Sequence, residues 1–183
     1  MMPELSLNIL DVAQNSIHAG ASLIEISLKA ESSADRLTLT ISDNGCGMSP
    51  EQVEKVTDPF FTSRTTRKVG LGIPFLKMAA ELAGGIFRIE SQEGVGTSVF
   101  ATFRLNDFDR MPLGNMAATM TALISASPDT NFILHMEQDG RGFNMDTRIF
   151  REILQEVPLC QPEVLNYIGD FIRENMTLCG ICL

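Results

Sequence analysis

Three polar residues near the start of the chain have the spacing and the chemistry to act together on a ligand. Asp11 and Asn15 are four residues apart and His18 follows three residues later, so a helix would place all three on one face. An asparagine amide oxygen can bind Mg²⁺, which usually keeps waters and substrate phosphate oxygens as its other ligands. Taken by themselves, however, these residues fit an ordinary solvated helix face better.

A second motif, DNGCGM, begins at Asp43. A carboxylate followed by glycines can accept a hydrogen bond from an exocyclic amine while the backbone passes close to a planar ring. Asn-Gly is also a common hairpin signal. Here a second glycine, Gly47, follows Gly45, and Ser49 and Gln52 then predict a helix start with a capping box. A simple hairpin requires neither feature.

Two further glycines, Gly70 and Gly72, precede a predicted helix whose first amides would face an anion. Arg64, Arg67 and Lys68 place positive charge beside them. The segment lacks the G-K-[ST] ending of a P-loop, and it does not follow a parallel strand as a Rossmann loop does.

Hydrophobic periodicity predicts the elements that position these residues. Apolar residues at helical spacing indicate a helix over residues 4–18, and strict alternation indicates two strands that pair as an antiparallel hairpin. Thr97 opens a later strand, after a glycine-flanked turn. The full order is α-β-β-α-α-β-β followed by α-β-β-α-α. Because hairpins dominate over crossovers, we predict a two-layer α/β sandwich with a mixed, mainly antiparallel sheet.

Composition narrows the class of protein. A chain of 183 residues can bury one core and a small appended unit, and its net charge of −9 argues against a nucleic-acid partner. The first twenty residues do not have the pattern of a signal peptide, and the longest uncharged run, residues 111–128, is too short and polar to span a bilayer. We therefore expect a cytoplasmic protein with no membrane partner, whose four cysteines are thiols.

In this order the motifs resemble the GHKL superfamily, which includes DNA gyrase, the heat-shock chaperone ATPases, histidine kinases and MutL. The resemblance covers about residues 5–105 and implies the Bergerat ATP-binding fold. It also sets the expected domains, an ATP-binding domain over residues 1–106 and a C-terminal α/β extension over 107–183. The matching boxes are LNILDVAQNSIHAGAS (7–22), DNGCGM (43–48), DPFFTSR (58–64), GLGIPFLK (70–77) and GVGTSVF (94–100).

The resemblance also implies a role for individual residues. Asn15 would hold Mg²⁺, Asp43 would accept from the adenine amino group of ATP, and Thr97 would support Asp43. Asp11 stands where the hydrolases of the superfamily have a glutamate as general base, and it is one methylene shorter. The residues that would approach the base are Gly45, Gly47 and Met48, and those that would close over the phosphates are Arg64, Lys68, Gly70, Leu71 and Gly72.

Within the superfamily, the first two boxes are similar to MutL and the rest to a histidine-kinase catalytic domain. The short lid favours the kinase side. A histidine kinase carries its acceptor histidine on an upstream helix pair, but the histidines here are His18, inside a box, and His135, in a predicted strand. The resemblance therefore implies an ATP-dependent protein kinase that acts in trans on a protein partner, at serine or threonine as anti-sigma kinases do, or at histidine. The alternative is a nucleotide-gated binding module, or a weak ATPase, that regulates a partner without phosphoryl transfer.

The segment after residue 106 has no counterpart in the resemblance. Met116 and Met120 share one stripe of a predicted helix, which favours core packing over a partner or homodimer surface. The spacing C-x-x-C is typical of metal or redox sites. A metal-site hypothesis thus includes Cys160, Cys179 and Cys182.

Overall fold

The computed structural model describes residues 4–57 and 71–183. Within these residues six helices and six strands form a two-layer α/β sandwich, which confirms the predicted fold class. The helices are α1 (Leu5–His18), α2 (Pro50–Val56), α3 (Gly72–Leu82), α4 (Met116–Ala126), α5 (Thr147–Leu154) and α6 (Pro162–Cys179). The strands are β1 (Leu23–Glu31), β2 (Arg36–Asp43), β3 (Phe87–Gln92), β4 (Gly96–Arg104), β5 (Asn131–Gln138) and β6 (Arg141–Asp146).

One mixed sheet runs through the described chain in the order β3-β4-β2-β1-β5-β6. Strands β1 and β2 form the predicted antiparallel hairpin, with Ile26 opposite Ile41. The β1–β5 pair is parallel and the other pairs are antiparallel. Alternation along most strands buries one face of the sheet, as in β1, where Ile24, Ile26 and Leu28 are fully buried between more exposed neighbours.

The helices cover the buried face of this sheet. Helix α1 contacts α3, α4 and β2, and α6 contacts α4, β5 and β6. Met116 and Met120 of α4 are buried, which confirms the prediction of core packing. The predicted capping box at the start of α2 is also confirmed, because Ser49 and Gln52 exchange both hydrogen bonds.

The segment after residue 106 continues the same sheet. Its strand β5 lies directly beside β1, with Leu134 opposite Ile26, and both side chains belong to one hydrophobic core. The chain end returns to this core as well, because the Leu113 amide donates to the Leu183 carbonyl. The division into domains at residue 106 stays a prediction. No helix in the described part of the chain combines the length and apolar character that a membrane crossing requires.

Candidate functional site

Asp43 ends β2 with its side chain on the helix-covered face, and both carboxylate oxygens are held in place. The Ser16 hydroxyl of α1 donates to one oxygen at 2.6 Å, and the Gly45 amide donates to the other at 2.9 Å. A carboxylate accepts about four hydrogen bonds, so each oxygen keeps a free lone pair. Asp43 is therefore a fixed acceptor that can still receive a donor from a ligand.

Two hydroxyls extend this acceptor across the sheet. Thr97 lies opposite Asp43 in β4, and Ser91 lies opposite Thr97 in β3. The two hydroxyl oxygens are 2.8 Å apart, and the Met48 amide donates to Ser91 at 2.9 Å. The structure thus brings Asp43, Met48 and Thr97 together at one end of three adjacent strands. An open cavity of about 340 Å³ lies at these strand ends, and its lining also includes Ser42, Glu90 and Ser98, which alternate onto the face of the sheet away from α1.

Close packing within the protein explains why both positions of the DNGCGM loop are glycine, independently of any ligand. Gly47 has φ of 65°, and a Cβ there would lie 2.0 Å from the Gln92 carbonyl oxygen of β3. A Cβ on Gly45 would lie 2.9 Å from the Ala19 methyl group. The loop therefore fits tightly between the end of α1 and the end of β3. The predicted contact of these glycines with a base stays a prediction.

Side-chain and backbone bonds fix the same loop to the α1–β1 turn. The Asn44 amide oxygen accepts from the backbone amides of Ser22 and Leu23, both at 2.9 Å. The Cys46 amide donates to Ala19, also at 2.9 Å, while its thiol side chain is exposed. These bonds join the loop that carries Asp43 to the helix that carries Asn15.

Asp11 and Asn15 lie on α1 where it meets the first turn of α3. A Cβ on Gly72 would lie 2.5 Å from a carboxylate oxygen of Asp11, so the two helices touch there and require glycine. Leu71 is the N-cap residue of α3 and provides no side-chain bond to it. The Asn15 amide nitrogen is buried and has no hydrogen-bond partner among residues 4–57 and 71–183, which costs about 1–3 kcal/mol unless a ligand supplies an acceptor.

The histidines lie apart from this arrangement. His18 is exposed in the last turn of α1. His135 lies on β5, where its Nδ1 is 2.7 Å from the Asn144 amide oxygen. This contact gives His135 an ordinary structural role in the strand.

Other predicted residues fall outside the described site. Arg64, Lys68 and Gly70, with the predicted box over residues 58–64, lie outside the described residues. All four cysteines are free, and the described ranges contain no group of three or more His, Cys, Asp or Glu side chains that could hold a metal. The hypothesis of a metal site at Cys160, Cys179 and Cys182 therefore gains no support from the structure.

Sequence reasoning missed Ser16, Asn44 and Ser91. Ser91 could have been found from the sequence. The β3–β4 hairpin pairs Ser91 with Thr97, and strand alternation places both side chains on the same face. The bond from Ser16 to Asp43 joins residues 27 positions apart, and no local pattern indicates it.

A family model described as "Histidine kinase-, DNA gyrase B-, and HSP90-like ATPase" matches residues 3–107. The chain belongs to this family. The match includes Asp11, Asn15, Asp43 and Thr97 and ends before α4.

Among curated relatives, the chain is similar to sensor histidine kinases. It is 36% identical over 89 residues to the sensor histidine kinase ZraS of Salmonella typhimurium, covering 48% of this chain and 19% of that protein. It is 35% identical over 88 residues to the sensor protein kinase WalK of Staphylococcus haemolyticus, covering 45% of this chain and 14% of that protein. The chain thus matches less than a fifth of the length of either relative.

A solved structure extends the likeness of fold beyond the family match. The ATPase domain of Aquifex aeolicus MutL, complexed with ADP, has a TM-score of 0.54 and 16% identity, covering 85% of this chain and 70% of that one. At this identity the likeness shows the fold alone.

Proposed function

We propose that the chain binds ATP with Mg²⁺ between α1, α3 and the DNGCGM loop, and transfers the γ-phosphoryl group to a protein partner in trans. The observation that carries the proposal is the fixed carboxylate of Asp43, held by Ser16 and Gly45 beside the hydroxyl of Thr97. The exocyclic amine of adenine is a donor that such an acceptor fits. The kinase part of the proposal is supported by the sensor kinases among the relatives.

Asn15 and Asp11 fit a magnesium ion and phosphate by their chemistry. Both supply oxygen ligands of the kind that Mg²⁺ prefers, and the nitrogen of Asn15, which has no partner among the described residues, can donate to a phosphate oxygen. We propose Asn15 as the residue that holds the ion. The ion would neutralise charge on the transferring phosphoryl group, and the α3 amides after Leu71 would face the phosphates.

Calorimetric titration with ATP and millimolar Mg²⁺ tests nucleotide binding. Asp43→Asn replaces an acceptor by a donor toward the adenine amine, and we expect affinity to fall by about ten- to a hundredfold. Asp129→Asn makes the same charge change at an exposed residue and should leave affinity unchanged. Equal affinity of the Asp43 variant and the control would contradict the proposed adenine contact.

Phosphoryl transfer requires a separate test. The full chain is incubated with γ-labelled ATP, Mg²⁺ and candidate partner proteins, and labelled protein is measured. We expect a labelled partner whose label is lost with Asn15→Ala and kept with Asn166→Ala, an exposed asparagine of α6. ATP binding without any labelled partner would support the second candidate instead.

That second candidate is a nucleotide-gated binding module that regulates a partner without phosphoryl transfer. Asp11 favours it over a hydrolase, because Asp11 is one methylene shorter than the glutamate that the hydrolases of the superfamily have as general base. A general base must lie within hydrogen-bond reach of the water that it activates.

A further inference from the structure

A groove between α5 and α6 lies outside the family match and outside the proposed nucleotide site. It contains a cavity of about 360 Å³ with an almost entirely apolar lining. We call it the α5–α6 groove, and its lining residues are Phe150, Ile153, Leu154, Glu163, Val164 and Tyr167.

Only part of the apolar face of α5 packs against the core. Phe150 and Leu154 pack against the core, but Ile149 is 55% exposed and Ile153 is 72% exposed. An amphipathic helix of a globular protein normally turns its apolar stripe inward. Two isoleucines in water on one short helix therefore mark a surface that another molecule can cover.

Aromatic packing forms the floor of the groove. Phe150 makes edge-to-face contacts with Tyr167 at 6.2 Å and with Phe171 at 5.8 Å between ring centroids. Tyr167 is 63% exposed, so it covers Phe150 with one side and presents the rest of its surface to solvent. A preformed, aromatic-lined pocket is the kind of place where binding energy concentrates in protein interfaces.

One charged side chain, Glu163, lines the groove. Glu152 precedes the lining residue Ile153 in the sequence and Glu156 follows α5, and both are exposed. Within the described ranges none of these three glutamates forms an ion pair. Glu163 also lies in the first turn of α6, where negative charge favours the helix dipole.

The two arginines of α5 are engaged elsewhere. Arg148 pairs with Asp146 at 2.7 Å, and Arg151 donates to Asn131 and to backbone carbonyls before β5. Asp146 raises the pKa of Arg148 most, and Glu25 and Glu152 add smaller electrostatic contributions. The groove is therefore apolar, with the unpaired carboxylate of Glu163 in its lining.

We propose that the α5–α6 groove binds an amphipathic helix of a partner protein that carries lysine or arginine beside its apolar stripe. A helix in a groove covers both the cavity and the isoleucines beside it, whereas a small apolar ligand would leave Ile149 exposed. A second copy of this chain fits less well, because it brings a further net charge of −9 to an acidic surface.

Fluorescence anisotropy with the full chain tests this proposal. The probe is a labelled leucine–lysine peptide of about 18 residues, five helical turns, patterned as an amphipathic helix. The matched peptide has glutamate at every lysine position. The groove variants are Ile153→Ser and Tyr167→Ser, which keep the net charge, and Glu163→Gln. Leu178→Ser is the control, because Leu178 is 79% exposed on α6 and does not line the groove.

We expect the lysine peptide to bind, and each charge-neutral groove variant to weaken binding by about tenfold or more, as a buried interface anchor does. Leu178→Ser should stay within about twofold, and Glu163→Gln should weaken binding and its salt dependence. Urea unfolding of each variant checks that the exposed substitutions leave the fold intact.

Four results would overturn the proposal. Equal binding of the lysine peptide to all variants shows simple adhesion to an acidic protein. Equal binding of the glutamate peptide removes the role of charge. A dimer in sedimentation equilibrium that Ile153→Ser dissociates identifies a second copy as the occupant. An apolar dye that binds the groove while neither peptide binds identifies a small ligand.

Discussion

At the scale of single residues, the candidate site depends on one bond that joins helix and sheet. Ser16 holds Asp43 at 2.6 Å, so the acceptor on β2 and the polar face of α1 move as one unit. A carboxylate fixed in this way loses little conformational freedom when it accepts a ligand.

We predict that Ser16→Ala weakens ATP binding by about tenfold or more, since a hydrogen bond to a charged group contributes about 1.5–3 kcal/mol. Calorimetric titration measures the change. Ser33→Ala, at an exposed serine, is the control and should leave affinity unchanged. If Ser16→Ala binds ATP as tightly as the unaltered chain, Ser16 does not position Asp43 for the ligand.

Gly47 and Gly94 offer a matched pair for a second prediction. Both have positive φ, but a Cβ on Gly94 meets nothing within 4 Å while a Cβ on Gly47 meets the Gln92 carbonyl. We expect Gly94→Ala to cost about 1 kcal/mol of unfolding free energy, from the left-handed backbone alone. Gly47→Ala should cost clearly more, because the loop must also move. Urea denaturation measures both variants, and equal losses would show that the close contact does not matter.

At the scale of elements, the caps decide where helices begin. Asp146 accepts from the Arg148 amide at the start of α5, as a favourable N-cap residue does. Hydrogen bonding to the Arg148 side chain is the main cause that lowers the pKa of Asp146 below its ordinary value of 3.8. This one side chain therefore anchors α5, and with it the α5–α6 groove.

The lowered pKa predicts a pH dependence of stability. The ionised form is favoured in the folded chain, so its contribution is present above about pH 4 and is lost as the pH falls through the lowered folded pKa. Asp146→Ala should destabilise the chain by about 1 kcal/mol at pH 7. The difference in unfolding free energy between Asp146→Ala and the unaltered chain should become smaller below pH 4. Asp129→Ala is the control, and a loss for Asp146→Ala that is the same at pH 7 and pH 3 would contradict the prediction.

At the scale of the whole molecule, the parallel β1–β5 pair joins the family-matched part to the rest of the chain. Leu134 of β5 is fully buried in the same core as Ile26 of β1. Helix α4 packs on α1, which carries Asp11 and Asn15. The site helix is thus supported from outside the family match.

We predict that the chain unfolds in one cooperative transition, and that Leu134→Ala lowers the unfolding free energy by about 2–5 kcal/mol. Leu134→Ala should lower the urea concentration at which ATP binding is lost and the concentration at which the helical signal is lost by the same amount. Ile153→Ala, at a mostly exposed residue, should shift neither by a comparable amount. Two separate transitions, with only one moved by Leu134→Ala, would instead favour independent domains on either side of residue 106.

Much of the fold was predictable from the sequence because the signals were local. Alternation indicated β1 and β2, and Ser49 with Gln52 indicated the start of α2. The ordered motifs identified the family and the residues Asn15, Asp43 and Thr97 as candidates. The metal-site hypothesis at Cys179 and Cys182 gained no support, since the described residues form no group of three or more possible metal ligands there.

The sequence by itself thus determined the type and order of the elements, the family and the candidate ligand contacts. Periodicity, capping and motif spacing are properties of neighbouring residues. Only the tertiary structure decided that Ser16 holds Asp43, that Gly72 packs on Asp11, and that the nitrogen of Asn15 is buried with no partner in the part of the chain that the structure describes. It also placed β5 beside β1 and left Ile153 exposed. Each of these depends on which distant segments meet, and a local pattern does not encode that.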